Sequence, residues 1–235
     1  DEMDWLPKIS HALAHDDFVL YAQPIEPTRQ DSSSKCSYEL LIRMIHGEDI
    51  IAPGKFLPAA ERYDQMVDID RWVILKTIGM LEKHREFIDK VDHISINLSG
   101  QSLASKKFCK FLIYEIGLTN LSNKICFEIT ETAAINDLLT ATKRITSLRE
   151  LGVRFSLDDF GSGLSSFAYL RTLDVDYLKI DGLFVKNIEH DLIDRAMVRS
   201  ISEIGSLMGK KIIAEYVEND QILTLLDEMG VDYVQ

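Results

Sequence analysis

Val153-Arg154-Phe155-Ser156-Leu157-Asp158-Asp159 is a strand-length, largely apolar run that ends in two adjacent carboxylates. The same form recurs along the chain. Strand-like runs are predicted at Phe18–Ile25, Tyr38–Met44, His93–Leu98, Lys124–Ile129, Val153–Leu157, Val175–Ile180, Lys211–Ala214 and Val231–Val234. Helical spacing falls between the later ones, near Asp70–Lys83, Ala104–Ile116, Leu138–Leu151, Ser165–Leu173, Asp191–Met208 and Asp220–Met229. Strands that alternate with helices imply parallel βα units. Eight such strands suit a closed α/β barrel of the (β/α)8 TIM type, with an open doubly wound sheet as the alternative. The turn-rich stretch Thr28–Ser37 joins the first two runs as a hairpin, so those two strands cannot be parallel neighbours.

The 235 residues, 46% hydrophobic and 27% charged, have ordinary globular composition and the length of one large barrel. No apolar window is long enough for a membrane span, and Asp1-Glu2-Met3-Asp4 does not open a signal peptide. The net charge of −12 argues against a nucleic-acid polymer as partner, because such binding needs clustered Lys and Arg. Cys36, Cys109 and Cys126 form no CxxC pair, which fits a reducing cytoplasm better than a disulfide framework.

Polar residues stand where the apolar runs give out: Glu39, Asn97, Glu128, Asp158 and Asp159, Lys179, Glu215 and Gln235. Successive steps from Glu39 through Asp158 to Gln235 are 58, 31, 30, 21, 36 and 20 residues, so after the first each is about one βα unit. Any one of them has an ordinary explanation, as a helix N-cap, an Asx-turn or a snorkelling lysine. Their joint recurrence at strand ends predicts delivery to one rim of the barrel, where active sites form. Oxygen donors without Cys or His select Mg²⁺ or Mn²⁺, with Ca²⁺ as competitor. Five carboxylates, Glu39, Glu128, Asp158, Asp159 and Glu215, are balanced by Lys179 only if two divalent ions also bind. Two ions in one cluster serve phosphoryl chemistry.

Seven ordered motifs closely resemble those of the EAL-domain family. They include Glu39-Leu40-Leu41-Ile42-Arg43, Asn97-Leu98-Ser99, Glu128-Ile129-Thr130-Glu131 and Asp158-Asp159-Phe160-Gly161-Ser162-Gly163. Lys179-Ile180-Asp181, Ala214-Glu215-Tyr216-Val217-Glu218 and the opening Tyr21-Ala22-Gln23-Pro24-Ile25 complete the set, with Pro53-Gly54-Lys55-Phe56 behind the signature. The resemblance runs from about residue 16 to 235, and it places a linker helix over 1–15.

The resemblance implies a TIM-type barrel with an antiparallel first strand. It also implies hydrolysis of one 3′–5′ phosphodiester of cyclic-di-GMP to linear pGpG, with two Mg²⁺ or Mn²⁺ ions and inhibition by Ca²⁺. Glu39, Asn97, Glu128 and Asp158 would hold one ion, and Asp159, with Asp158 and Glu215, the second. Lys179 would place the attacking water or offset phosphate charge, and Glu215 is the candidate base or a further ligand. Arg43, Gln23, Gln235 and Leu41 would contact substrate. Glu131 would anchor the loop that holds Ser162 and Gly163, whereas Glu218 is read as a structural hydrogen-bond partner. No Gly-Lys-Ser/Thr follows Gly161-Ser162-Gly163, so it is not a phosphate loop.

The resemblance further implies a homodimer, an upstream GGDEF or sensor domain, and a domain that works in the cytoplasm without membrane contact of its own. Three departures stand out. Leu40 replaces the usual Ala of the signature, and Tyr216 stands where Gly is usual, with its side chain expected on the opposite face from Glu215. The chain stops at Gln235, where relatives continue with Gly-Tyr and a last helix, so a truncated barrel is expected. The rival readings are a catalytically inactive cyclic-di-GMP receptor, which would show substituted ligand positions, and a partner-binding module, which has no need of rim carboxylates.

Overall fold

The computed structural model describes residues 2–29, 35–161 and 167–235. Among the described residues nine strands form one sheet: β1 Phe18–Pro27, β2 Ser37–His46, β3 Asp49–Ile51, β4 Ile94–Asn97, β5 Ile125–Thr130, β6 Arg154–Phe160, β7 Tyr177–Ile180, β8 Lys211–Ala214 and β9 Tyr233–Val234. β2, β4, β5, β6, β7, β8 and β9 run parallel in that order. β1 pairs antiparallel with β2 on one side and with β9 on the other, and so closes an eight-strand barrel. The reason is the short connection predicted between the first two runs, which permits only an antiparallel return. β3 extends the sheet outside the closed ring, paired with the end of β2.

Eleven α-helices accompany them among the described residues: α1 Trp5–His15, α2 Pro53–Arg62, α3 Met66–Lys83, α4 Arg85–Ile88, α5 Gly100–Ala104 and α6 Lys106–Gly117, then α7 Glu131–Asn136, α8 Leu138–Arg149, α9 Gly182–Val185, α10 Leu192–Leu207 and α11 Asp220–Glu228. None is long and apolar enough to cross a membrane. Short elements lie outside the predicted ranges: β3, α2, α4, α5, α7 and α9. The predicted helix Ala104–Ile116 is α6, which starts at Lys106 because Ser105 takes an extended backbone and caps it by accepting a hydrogen bond from Phe108 N–H; Ala104 is the last residue of α5. Of the predicted helix Ser165–Leu173, the described part is a 3₁₀ turn at Phe167–Arg171.

Each barrel strand separates two environments by its period of two. Outward residues such as Leu40, Ile96, Phe127, Phe155, Leu157, Leu178 and Ile212 are buried in the main core with the helices. Inward, Ile25, Cys126, Tyr177 and Ile213 form a separate buried cluster with Tyr233 packed on it, which plugs the lower barrel. Two residues further along the same strands lie Gln23, Glu128, Lys179, Glu215 and Gln235. The upper interior is therefore polar, above an apolar floor.

Candidate functional site

Polar residues at strand ends divide into two kinds. Ser99, Thr130, Asp181 and Asn219 accept hydrogen bonds from backbone N–H groups of α5, α7, α9 and α11 and are N-caps. Glu39, Glu128, Asp158, Lys179 and Glu215 converge inside the barrel. Lys179 Nζ stands 3.1 Å from Glu39, 2.8 Å from Glu128, 3.5 Å from Asp158 and 3.0 Å from Glu215. Asn97 donates to Glu39 Oε1 at 2.6 Å, and Gln235 donates to Glu39 Oε2 at 2.6 Å. Seven of the predicted site residues thus form one connected cluster.

Glu39 departs from its expected place. It does not end a strand but lies near the start of β2, where it pairs with Ser95 and sits two residues below the level of Asn97. It reaches the cluster because β2 continues to His46 beyond the mouth.

Asp158 and Asp159 are neighbours that a regular strand would send to opposite faces. The β6–β7 register shifts between Leu157 and Phe160, and Asp159 takes a left-handed φ of 55°. This bulge re-aims the second carboxylate. One oxygen from each of Asp158, Asp159 and Glu215 then lies within 4.8 Å of the others.

The charges are unbalanced. Burial pushes Glu128 up to about 8, with Glu39 and Asp158 adding to the rise against Lys179. Burial likewise takes Glu215 to about 7 and, with Asp158, takes Asp159 to about 6. For Glu39 burial also raises the pKa, but Lys179 and the donors Gln235 and Asn97 outweigh it and hold the group below its ordinary value. Burial opposes the charge on Lys179, yet the surrounding carboxylates lift its pKa well above normal. Glu128 Oε1 is buried without a hydrogen-bond partner. An all-oxygen donor set with surplus negative charge and an orphaned carboxylate oxygen fits a hard divalent cation.

Two cavities open on the cluster. One, about 470 Å³, is lined by Gln23, Glu39, Leu41, Glu215, Tyr216, Val217, Glu218 and Gln235. A second, about 310 Å³, shares Glu39 and Leu41 with it, adds Asn97 and Glu128, and has an apolar wall of Pro53, Leu57, Met66, Ile69 and Val73. Gln23, Leu41 and Gln235 line the larger of the two. Arg43 lines neither cavity; it sits over the Tyr21 ring, 5.2 Å from the centroid, and donates to the Ile42 carbonyl. Glu131 is buried and accepts from Gly161 N–H at 3.1 Å and from the Tyr169 hydroxyl. Ser162 and Gly163 lie outside the described residues.

Glu215 lies just past the last residue of β8 and reaches Lys179 inside the barrel, while Tyr216 turns with φ 59° and lays its ring against α9. That left-handed backbone is the one glycine adopts without strain, which accounts for the family's preference. Tyr216 packs its ring on the backbone of Gly182, with Lys186 Nζ 4.0 Å from the ring centroid. A methyl group at Gly182 would overlap the ring. Gly182→Ala is expected to cost about 1–3 kcal/mol by overpacking, and the loss should vanish in a Tyr216→Gly background. Urea midpoints of the four proteins in that cycle measure it.

Asp70 was not singled out as a site residue from sequence, although its signal was present: a charge inside the apolar stripe Met66, Ile69, Val73, Ile74 of α3. Its carboxylate accepts from Ser99 N–H at 3.0 Å and Ser99 Oγ at 2.6 Å, which holds the turn just past Asn97. Burial pushes its pKa up to about 6, against the hydrogen bonds from Ser99 and Ser102. A carboxyl whose pKa is raised by folding favours the fold below about 4, its unfolded value, and loses that contribution as pH rises through about 6. The stability difference between the unsubstituted protein and Asp70→Asn should therefore change across this window and be flat above it, as read from urea melts at each pH.

Comparison with protein families matches residues 7–235 to the EAL domain. Cyclic di-GMP phosphodiesterase PdeB of Shewanella oneidensis is 40% identical over 98% of this chain and 27% of its own length. Cyclic di-GMP phosphodiesterase PdeF of Escherichia coli K12 is 32% identical over all of this chain and 31% of its own length. The chain thus spans about a third or less of these relatives. The FimX EAL domain from Pseudomonas aeruginosa bound to c-di-GMP superposes with a TM-score of 0.89 at 27% identity, covering 99% of this chain and 93% of that one.

Proposed function

Because this chain belongs to the EAL-domain family, we propose that it hydrolyses one 3′–5′ phosphodiester bond of cyclic-di-GMP, giving linear pGpG. The observation that carries this reading is the meeting of Glu39, Glu128, Asp158 and Glu215 around the buried cation Lys179, beside two adjoining cavities. Relatives named as cyclic di-GMP phosphodiesterases support the same reaction.

Glu39, Asn97, Glu128 and Asp158 are suited to hold one Mg²⁺ or Mn²⁺, and Asp159 with Asp158 a second. The Asn97 amide nitrogen is spent on Glu39, which leaves its carbonyl oxygen as the ligand atom. Such ions supply an acidified water and charge neutralisation on the phosphate. Glu215, at the mouth, takes the proton of the attacking water. The new P–O bond forms as the bond to one 3′ oxygen breaks; that oxygen takes a proton from solvent water as it leaves, and Glu215 returns its own proton to solvent. Lys179 orients the water or offsets charge on the phosphoryl oxygens. The apolar wall of Pro53, Leu57 and Met66 suits one purine face, while Gln23, Leu41 and Gln235 border the path of the sugar-phosphate ring. Arg43 reaches the ligand by leaving Tyr21.

Product analysis tests the reading. Cyclic-di-GMP incubated with the purified chain should yield pGpG with Mg²⁺ or Mn²⁺ and none with EDTA or Ca²⁺. Binding of the dinucleotide without conversion in every metal would replace the enzyme by a receptor.

A further inference from the structure

We propose that His11, His15 and Asp17 form a second metal site, for a borderline transition ion such as Zn²⁺, at the joint between α1 and β1. The two histidines lie one helical turn apart on the exposed side of α1, with rings nearly parallel at 14° and centroids 3.9 Å apart. His15 Nδ1 stands 3.0 Å from the His11 carbonyl oxygen; an N–H donated there fixes the tautomer and leaves Nε2 as the ligand atom. His11 Nδ1 is 3.2 Å from Asp17 Oδ2. Bonds of about 2.0–2.1 Å in a tetrahedral zinc site place neighbouring donors about 3.3 Å apart, so this pair already stands at one tetrahedral edge. One donor atom from each of the three residues lies within 4.8 Å of the other two, and rotation of exposed side chains closes the remainder.

The backbone presents Asp17 on purpose-built geometry. Asp16 ends α1 in a left-handed conformation, φ 63°, and turns the chain so that Asp17 N–H donates to Ala12 O at 3.0 Å. The Asp17 carbonyl in turn accepts from Ile45 N–H on β2 at 2.7 Å. Asp16 is occupied elsewhere, with Trp72 and Lys76 of α3. The third ligand is therefore held by the barrel and the first two by the helix, and a bound ion would clasp one to the other.

Two imidazoles with one carboxylate favour Zn²⁺, Cu²⁺, Ni²⁺ or Co²⁺ over Mg²⁺ and Ca²⁺. That donor set separates this site from the all-oxygen cluster in the barrel.

The test is a Zn²⁺ titration of the chelator-stripped chain against a chromophoric competitor, in excess Mg²⁺. One Zn²⁺ should bind with unchanged affinity in the barrel variant Asp158→Asn/Asp159→Asn. Affinity should fall about tenfold or more in His15→Gln and, separately, in His11→Asn. Zn²⁺ should also raise the melting temperature of the unsubstituted chain and not that of His15→Gln, while Mg²⁺-dependent hydrolysis stays the same in both. Equal Zn²⁺ affinity with and without the histidines, or loss of all Zn²⁺ binding in the barrel variant, would overturn the proposal.

Discussion

Glu39→Gln is expected to abolish hydrolysis of cyclic-di-GMP while leaving the fold in place. Glu39 is the residue on which three others meet: Asn97 donates to one of its oxygens, and Gln235 and Lys179 approach the other. Loss of a partner outside the ligand shell already costs up to about 100-fold, so loss of a first ligand should exceed that in kcat/KM. The fold survives because Glu39 belongs to the polar upper interior, whereas the outward Leu40 and Met44 of the same strand carry the core contacts. Discontinuous rates on pGpG formation, with far-UV circular dichroism as control, measure both halves. Turnover within a few fold of the unsubstituted protein would remove Glu39 from the proposed metal site.

Lys179→Met should have the largest effect on stability without added metal. Lys179 is fully buried, and four carboxylates lie within 3.5 Å of its nitrogen. Methionine keeps the length of the side chain and removes the charge, so Glu39, Glu128, Asp158 and Glu215 lose their common partner. Breaking a buried ion pair from one side costs about 3–5 kcal/mol. The expected loss in EDTA is of that order at pH 8 and smaller at pH 5, where protonation relieves the repulsion. Added Mg²⁺ should recover part of it. For catalysis, kcat should fall more than affinity for the dinucleotide, because the lysine acts on charge that develops in the transition state. An unchanged urea midpoint in EDTA would mean that the carboxylates do not depend on Lys179 for charge balance.

Much of this site was legible as a pattern of strand ends, and the limits of that pattern are instructive. Glu128, Asp158, Lys179, Glu215 and Gln235 follow apolar runs and do converge. Ser99, Thr130, Asp181 and Asn219 also stand near strand ends, and each instead caps the helix that follows. Local sequence does not separate the two kinds, because a capping oxygen and a cavity oxygen are the same chemistry one or two residues apart. Asp70 was hidden for a different reason: its partner Ser99 is 29 residues away on another element.

The sequence by itself determined what each strand must do. Its apolar runs, alternating with helices and ending in polar residues at intervals of one βα unit, specified parallel βα units that suit a closed barrel or an open doubly wound sheet, and the short first connection excluded a parallel first pair. Tertiary structure alone decided which carboxylates share a cation. Glu39 meets Lys179 across 140 residues, and Asp159 joins Asp158 through a bulge that depends on the β6–β7 register. The physical reason is that hydrophobic periodicity is a property of one strand at a time, whereas register, bulges and burial of charge are properties of neighbouring strands and exist only once the barrel has closed.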